Sequence, residues 1–336
     1  MSERFEYKSP MAPYMNDFVA LKEASGVYIL RTKWILLEID KFYIARGMTT
    51  ADVTSEIITE WRKTRTNDCP RTLYTKYSVW SQLTRFMSRR GKECYIPLLP
   101  AHRSTKTGFL PYIFTHEQIN SIMKKSSELK LYDRHMTCAL IVIPAIIRLL
   151  YSTGLRISEA LSIKNEDVNM EECYIHIKKT KNGSERLVPV CESLKRVLEQ
   201  YREYRDQMPL KNVSAAQSLL FVKMDGTPCR ANVIYIWFRR LLKECGIPHI
   251  GNHRGPRVHD LRHTFAVHAM EQMSRSGIDI YAGMPVISTC LGHKSLSATE
   301  QYVRLTGEMY PELVRQSSPI NAFVYPKIRK GMPYED

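Results

Sequence analysis

The segment His259-Asp260-Leu261-Arg262-His263-Thr264-Phe265-Ala266 decides how this chain is read. Residues three apart share one face of a helix, so His259 and Arg262 point the same way. Leu261, Phe265 and Ala266 supply an apolar side. An imidazole beside a guanidinium suits phosphate chemistry: one moves protons while the other neutralises charge. In isolation the segment reads equally well as a helix with a polar exposed stripe, so its flanks have to be weighed with it.

Downstream stands Leu291-Gly292-His293. Pro285 is expected to start a helix and Gly292 to end it, which presents His293 at a loop. Ser297-x-x-Glu300 then reads as a capping box opening a helix that carries Tyr302. On its own Tyr302 would pass as an ordinary exposed tyrosine. Upstream, in Thr153-Gly154-Leu155-Arg156-Ile157-Ser158-Glu159-Ala160-Leu161, Gly154 breaks one helix and Arg156 opens the next. A helix N-terminus favours an anion, and arginine adds a forked, permanently charged donor. Glu159, one turn on, is placed to orient that guanidinium, although Arg156 alone would read as a surface arginine. Residues Cys173 to Lys179 and Arg186 to Val190 alternate like strands, and Lys181-Asn182-Gly183 between them carries the Asn-Gly hairpin signal. Lys181 at the tip is either a solubilising residue or an ammonium that a hairpin carries into a DNA groove.

The 336 residues contain 49 Lys plus Arg against 34 Asp plus Glu, a net charge of +15 that favours a polyanionic partner, nucleic acid first. No apolar run follows Met1-Ser2-Glu3-Arg4, so no secretory leader is expected. The most apolar stretch, Ala139 to Leu150, holds Pro144 and Arg148; it falls short of the roughly twenty residues of a membrane span and reads as a buried helix. The eight cysteines show no Cys-x-x-Cys pair and no zinc spacing. They read as reduced thiols of a protein of the bacterial cytoplasm or nucleoid.

The length suggests two domains. In the first, residues 1–108, Val53, Ile57, Ile58 and Trp61 mark one amphipathic helix, and Leu73, Tyr77, Trp80, Leu83 and Met87 mark another that Gly91 stops. A third helix is expected from about Tyr28 to Arg46. Trp34, Trp61 and Trp80 are all read as core. From Gly91 to about Tyr112 the pattern gives way to an extended basic linker with Pro97, Pro100, Arg103, Lys106, Gly108 and Pro111. The second domain, residues 113–336, opens with the capping box Thr115-x-x-Gln118. It continues with a helix from Leu140 to Tyr151, the hairpin, a helix from Ser193 to Arg205, a short strand near Leu219–Val222, a turn at Asp225-Gly226, and helices to a tail from about residue 306. The expected fold is mostly α with a small antiparallel sheet.

Each piece is weak alone, but their order and spacing are specific. TGLRISEAL, the lysine hairpin KNGSERLVPV, HDLRHTFA, LGH and the tyrosine of TEQYV resemble the tyrosine recombinase (phage integrase) family across about residues 113–305. The N-terminal part with its linker is similar, less specifically, to the family's core-binding domain.

The resemblance implies a site-specific DNA recombinase in which Tyr302 attacks a backbone phosphate, forms a 3′-phosphotyrosyl link and frees a 5′-hydroxyl. Arg156 and Arg262 match the family's phosphate-binding arginines and His293 its third phosphate contact. His259 matches the position assisting proton transfer, Lys181 the general acid for the leaving 5′-oxygen, and Glu159 a supporting acidic position. No metal, cofactor or ATP is expected: the motifs hold guanidinium and imidazole rather than clustered carboxylates, and no Walker-type glycine loop appears. The partners implied are double-stranded DNA at specific sites and a homo-tetramer on that DNA, with no membrane; whether accessory proteins take part stays open. Tail residues Leu313, Val314, Phe323 and Val324 would pack on a neighbouring protomer or on their own domain.

The stretch from Arg262 to His293 is longer than in compact family members. Gly277, Gly283 and Pro285 suggest an extra loop there, a mark of a mobile-element subfamily. Two other functions compete: a type IB topoisomerase-like relaxing enzyme, and a DNA-binding protein of the same fold without catalysis. A third, a metal-dependent nuclease, lacks a carboxylate cluster.

Overall fold

The computed structural model describes residues 5–26, 29–101, 111–130, 138–178, 183–249, 255–293 and 295–313. The chain divides into two compact units, Met1–Phe109 and Leu110–Asp336.

Among the described residues the first unit holds four helices, α1 (Ala12–Ala24), α2 (Leu30–Ala45), α3 (Ser55–Lys63) and α4 (Pro70–Ser88). The two amphipathic patterns become α3 and α4. Thr54 caps α3 by accepting from the Ile57 amide, which satisfies one of the first-turn donors. Trp61 and Trp80 are fully buried and meet edge to face at 5.8 Å. Trp34 departs from the expectation: it is 45% exposed and leans on Phe5. The inward face of α2 is taken by Ile35, Leu36, Ile39 and Tyr43, which leaves Trp34 outside it. Helix α1 has no counterpart in the expected elements; it buries only Met15 and Phe18, too thin a stripe to stand out in the sequence. Residues 92–101 carry neither helix nor strand, and the first of them are tied to the first unit, Lys92 to Asp52 and the Tyr95 amide to the Val53 carbonyl; Arg103 and Lys106 lie outside the described residues.

In the second unit, α5 (His116–Ser127) begins with the reciprocal Thr115–Gln118 capping box that the sequence signals. Helix α6 (Val142–Thr153) is the central rod of the core, burying Ile143, Ile146, Ile147 and Leu150. Its one charge, Arg148, is tolerated because the guanidinium donates to the Met123 and Pro144 carbonyls and to Ser126 and Ser127. Burial of an ion without such partners would be costly. Gly154 ends α6 in the left-handed conformation at φ 63°, and the one-turn helix α7 (Ile157–Ala160) follows.

Strands β1 (Val168–Asn169), β2 (Tyr174–Ile177) and β3 (Arg186–Pro189) form an antiparallel sheet in the order β1-β2-β3, with Ile175 opposite Val188. The expected strand at Leu219–Val222 does not form. Leu219 and Val222 make only isolated bridges, to Lys164 and Pro228, because the turn at Gly226 folds the chain back within a few residues.

Helices α8 (Glu192–Asp206), α9 (Ala231–Glu244), α10 (Asp260–Arg275), α11 (Ile280–Leu291) and α12 (Ser297–Met309) complete the unit. The last three gather round Ala266, Val267, Met270, Ile287, Leu291, Tyr302 and Leu305. Three expectations are corrected here. Pro285 lies inside α11 rather than at its start, because Asp279 caps the helix earlier by accepting from the Tyr281 and Ala282 amides. No extra loop separates Arg262 from His293: α10 and α11 fill most of that stretch, and Gly283 of α11 lies close against Met273 of α10. Ser297 does not cap α12; the N-cap is Leu296, with no side-chain cap bond. Leu313 is buried against its own chain, and Val314, Phe323 and Val324 lie outside the described residues. No described helix is long and apolar enough to cross a membrane.

Candidate active site

Two left-handed glycine turns and the start of α10 build the site. Gly154 turns the chain out of α6, so that Arg156 caps α7 and the Glu159 carboxylate reaches back to it. Glu159 Oε2 accepts from the Arg156 amide at 3.0 Å, and Oε1 accepts from Arg156 Nη1 at 2.8 Å. Arg262 comes from the first turn of α10 and is 3% exposed. It donates at 2.8 Å from Nη1 to the Gly154 carbonyl and at 2.8 Å from Nη2 to the Leu291 carbonyl. The carbonyl ends of α6 and α11 thus hold this guanidinium at fixed length, and the negative pole of each helix favours it. Gly292 ends α11 at φ 65°. His293 follows it, its Nδ1 2.8 Å from Thr299 Oγ1.

Arg156, His259, Arg262, His293 and Tyr302 come together within one electrostatic neighbourhood. Burial, then Arg156 close by, pushes Arg262 down to about 10, so it stays cationic at neutral pH. Burial, then Arg262 and Arg156, pushes His259 and His293 each down to about 4. Both imidazoles are therefore neutral at pH 7. Tyr302 stacks parallel to His293 with ring centres 6.2 Å apart. Burial raises its phenol above the ordinary value, and the neighbouring Arg262 works against that rise.

Tyr302 is 1% exposed, wedged by α12 against α10. Lys181 lies outside the described residues; the hairpin that carries it is rooted by β2 and β3.

Two residues within the quoted motifs take places the sequence reading did not assign. Arg186 donates from Nη2 to Glu159 Oε2 at 2.8 Å and from Nε to the Cys290 carbonyl at 2.9 Å, joining the hairpin to both α7 and α11. His263 Nδ1 lies 2.8 Å from the Tyr302 hydroxyl. Its only signal in sequence is its spacing of one helical turn from His259. Beside these groups opens a cleft of about 440 Å³ whose lining includes Arg156, Arg257, His259, Tyr235 and His249. Cations and neutral imidazoles around a buried phenol make a setting for a phosphate and a tyrosine nucleophile.

Residues 113–309, more than half of the chain, match the phage integrase family. The chain belongs to that family and is a tyrosine recombinase. It is similar to the putative integrase/recombinase y4rB of Sinorhizobium fredii, 27% identical over 90% of this chain and 94% of that protein. It is also similar to the tyrosine recombinase XerA of Pyrococcus furiosus, 31% identical over 62% of this chain and 63% of that one. Among solved structures, the fold is that of the XerH site-specific recombinase bound to a palindromic difH substrate in a post-cleavage complex (TM-score 0.62, 16% identity, 95% of this chain and 98% of that chain). The Tn1549 transposon integrase in complex with transposon right end DNA shares it too (TM-score 0.58, 16% identity, 89% and 99%).

Proposed function

We propose that this protein cleaves and rejoins double-stranded DNA at specific sites through a 3′-phosphotyrosyl link to Tyr302. The observation that carries the reading is the placement of the buried Tyr302 phenol against the buried Arg262, with Arg156, His259 and His293 around them. A phenol is a weak nucleophile at neutral pH. It can attack a phosphodiester only where the charge on the non-bridging oxygens is neutralised. Arg156 and Arg262 supply that neutralisation, and His293 adds a hydrogen bond from a ring already oriented by Thr299. Arg262 is held by two carbonyls before any substrate arrives, so little reorganisation is left for the transition state. Lys181 serves as the acid for the departing 5′-oxygen, and His259 assists proton transfer.

The charge is met by guanidinium and imidazole, so the reaction needs no metal. The phosphotyrosyl bond retains the energy of the broken phosphodiester, so rejoining needs no ATP. The relatives solved with DNA support duplex DNA as the partner, and the net charge of +15 agrees. The N-terminal unit adds DNA contacts of its own, and the working form on two sites is a homo-tetramer.

The test is a duplex selected from random-sequence DNA by binding to the protein, nicked near the cleavage point so that the freed end diffuses away. A covalent protein–DNA band that forms in EDTA and is lost in Tyr302→Phe establishes the nucleophile and the metal-free reaction together. Binding without a band leaves a DNA-binding protein only. Relaxation of supercoiled plasmid with no site requirement points to the topoisomerase-like activity.

A further inference from the structure

We propose that His263 is the base that receives the Tyr302 proton as the phenol attacks, and that bound DNA phosphate switches it on. This rests on the strand-cleavage reading above. His259 is the position that the family resemblance associates with proton transfer. Yet it is His263 whose Nδ1 lies 2.8 Å from the Tyr302 hydroxyl, while His259 stands edge-on to the His263 ring at 4.9 Å. The 2.8 Å between His263 Nδ1 and the Tyr302 hydroxyl is within direct proton-transfer reach. Both partners are fixed: His263 is 9% and Tyr302 1% exposed, on the packed helices α10 and α12. With the imidazole neutral and its proton on Nε2, the phenol O–H donates to Nδ1, so the proton that must leave already lies on this bond.

The surroundings explain why the base is silent without DNA. His263 faces His259, Arg262 and Arg257 from α10 and the segment before it, His293 from the end of α11, and Tyr302 from α12. Burial first, then these basic groups, holds its imidazole down at about 3. A phosphate seated on Arg156 and Arg262 brings negative charge into the same neighbourhood and cancels much of that field, so the imidazole gains basicity when substrate is in place. In the step, the Oη–phosphorus bond forms and the phosphorus–O5′ bond breaks. The phenolic proton passes to His263 Nδ1, and the leaving 5′-oxygen takes a proton from Lys181. Rejoining runs the same transfers backwards, so no further reactant is needed.

The experiment measures covalent-adduct formation on the selected nicked duplex by wild type, His263→Ala and His263→Asn, with DNA affinity measured in parallel. Asn keeps a hydrogen-bonding group near the Nδ1 position but takes no proton. The expected result is a loss of about 100-fold in both variants at unchanged DNA affinity. In His263→Asn the rate should climb with pH across a range where the wild type is flat. Replacing Tyr302 with a more acidic difluorotyrosine should restore at least about 10-fold in the variants and change the wild type little, since a more acidic phenol needs less help. Adduct formation by His263→Asn at the wild-type rate and pH profile would overturn the proposal. So would a loss that phenol acidity does not relieve, which would mark a packing role. Absence of adduct from the wild type would instead overturn the cleavage reading itself.

Discussion

Arg186 closes on Glu159 with Nη2 2.8 Å from Oε2, the carboxylate side chain 1% and the guanidinium side chain 7% exposed. The same carboxylate holds Arg156 from its other oxygen. One buried anion therefore ties the lysine-bearing hairpin to a candidate phosphate-binding arginine, and the Arg186 bond to the Cys290 carbonyl extends the tie to the end of α11, just before His293.

Removing Arg186 leaves the buried Glu159 carboxylate with Arg156 as its remaining cation and one oxygen short of a charged partner. Arg186→Ala should cost about 3–5 kcal/mol, read as a lower urea midpoint. Replacing both Glu159 and Arg186 with leucine should cost less than the sum of the single changes, and a double-mutant cycle measures the difference. The pair also has a pH signature. Burial raises the Glu159 carboxyl, but the Arg186 hydrogen bond and the Arg156 amide outweigh it and hold it below its ordinary value. A depressed folded value gives stability that is full above the unfolded value near ~4.3 and is lost as pH falls through the folded one. The Arg186→Ala variant should therefore lose less on acidification than the wild type.

Gly154 is both a turn and a gap. Its φ of 63° suits glycine, and a Cβ there would stand 2.5 Å from Phe265 Cδ1 and 2.8 Å from Leu291 Cδ2. Its carbonyl also accepts from Arg262. Gly154→Ala combines left-handed strain with overpacking, together about 2–4 kcal/mol. Because the strain falls on the carbonyl that aims Arg262, adduct formation measured well below the melting temperature should drop as well. A variant that melts early but cleaves normally would contradict that link.

The buried histidines set an acid limit. His268 is 6% exposed, stacks on His116 at 3.9 Å and bonds Tyr151 through Nδ1 at 2.9 Å. Burial first, then His116, pushes it down to about 4. Its unfolded value is near ~6.5, so the unfolded chain binds the proton first. The stabilisation is whole above about 6.5 and is lost between there and about 4, up to ~3 kcal/mol. His268→Asn keeps an acceptor for Tyr151 without titrating. Urea unfolding at pH 7.5 and pH 5 should show a smaller difference in the variant, with adduct formation at pH 7.5 unchanged.

The legible parts of the fold were those governed by local chemistry. Thr115 with Gln118 announces α5, Gly154 and Gly292 announce the ends of α6 and α11, and Asn182-Gly183 announces the β2–β3 hairpin. Misreadings arose where one local signal overrode another: Pro285 looked like a helix start until Asp279 is seen to cap first, and Ser297 looked like a cap although the helix already includes it. The places of Arg186 and His263 were not legible, because they depend on partners 104 and 39 residues away, Cys290 and Tyr302. Trp34 was misplaced for a related reason, since helical periodicity does not say which of two apolar stripes on α2 meets the core.

A conservative change at Arg156 separates charge from shape at the phosphate. Arg156 is gripped by Glu159, so its fork is aimed before DNA binds. Arg156→Lys keeps the charge but offers a compact ammonium in place of two parallel donors. If Arg156 only attracts DNA, the variant should bind and cleave almost as the wild type does. If it holds two oxygens of the transition state, binding should change little while adduct formation falls about 100-fold or more, the scale of losing one preorganised donor. The second outcome is expected, because the Glu159 contact orients the guanidinium plane, and orientation is of no use to a simple point charge. Affinity and single-turnover cleavage on the same duplex, measured at one salt concentration, distinguish the two.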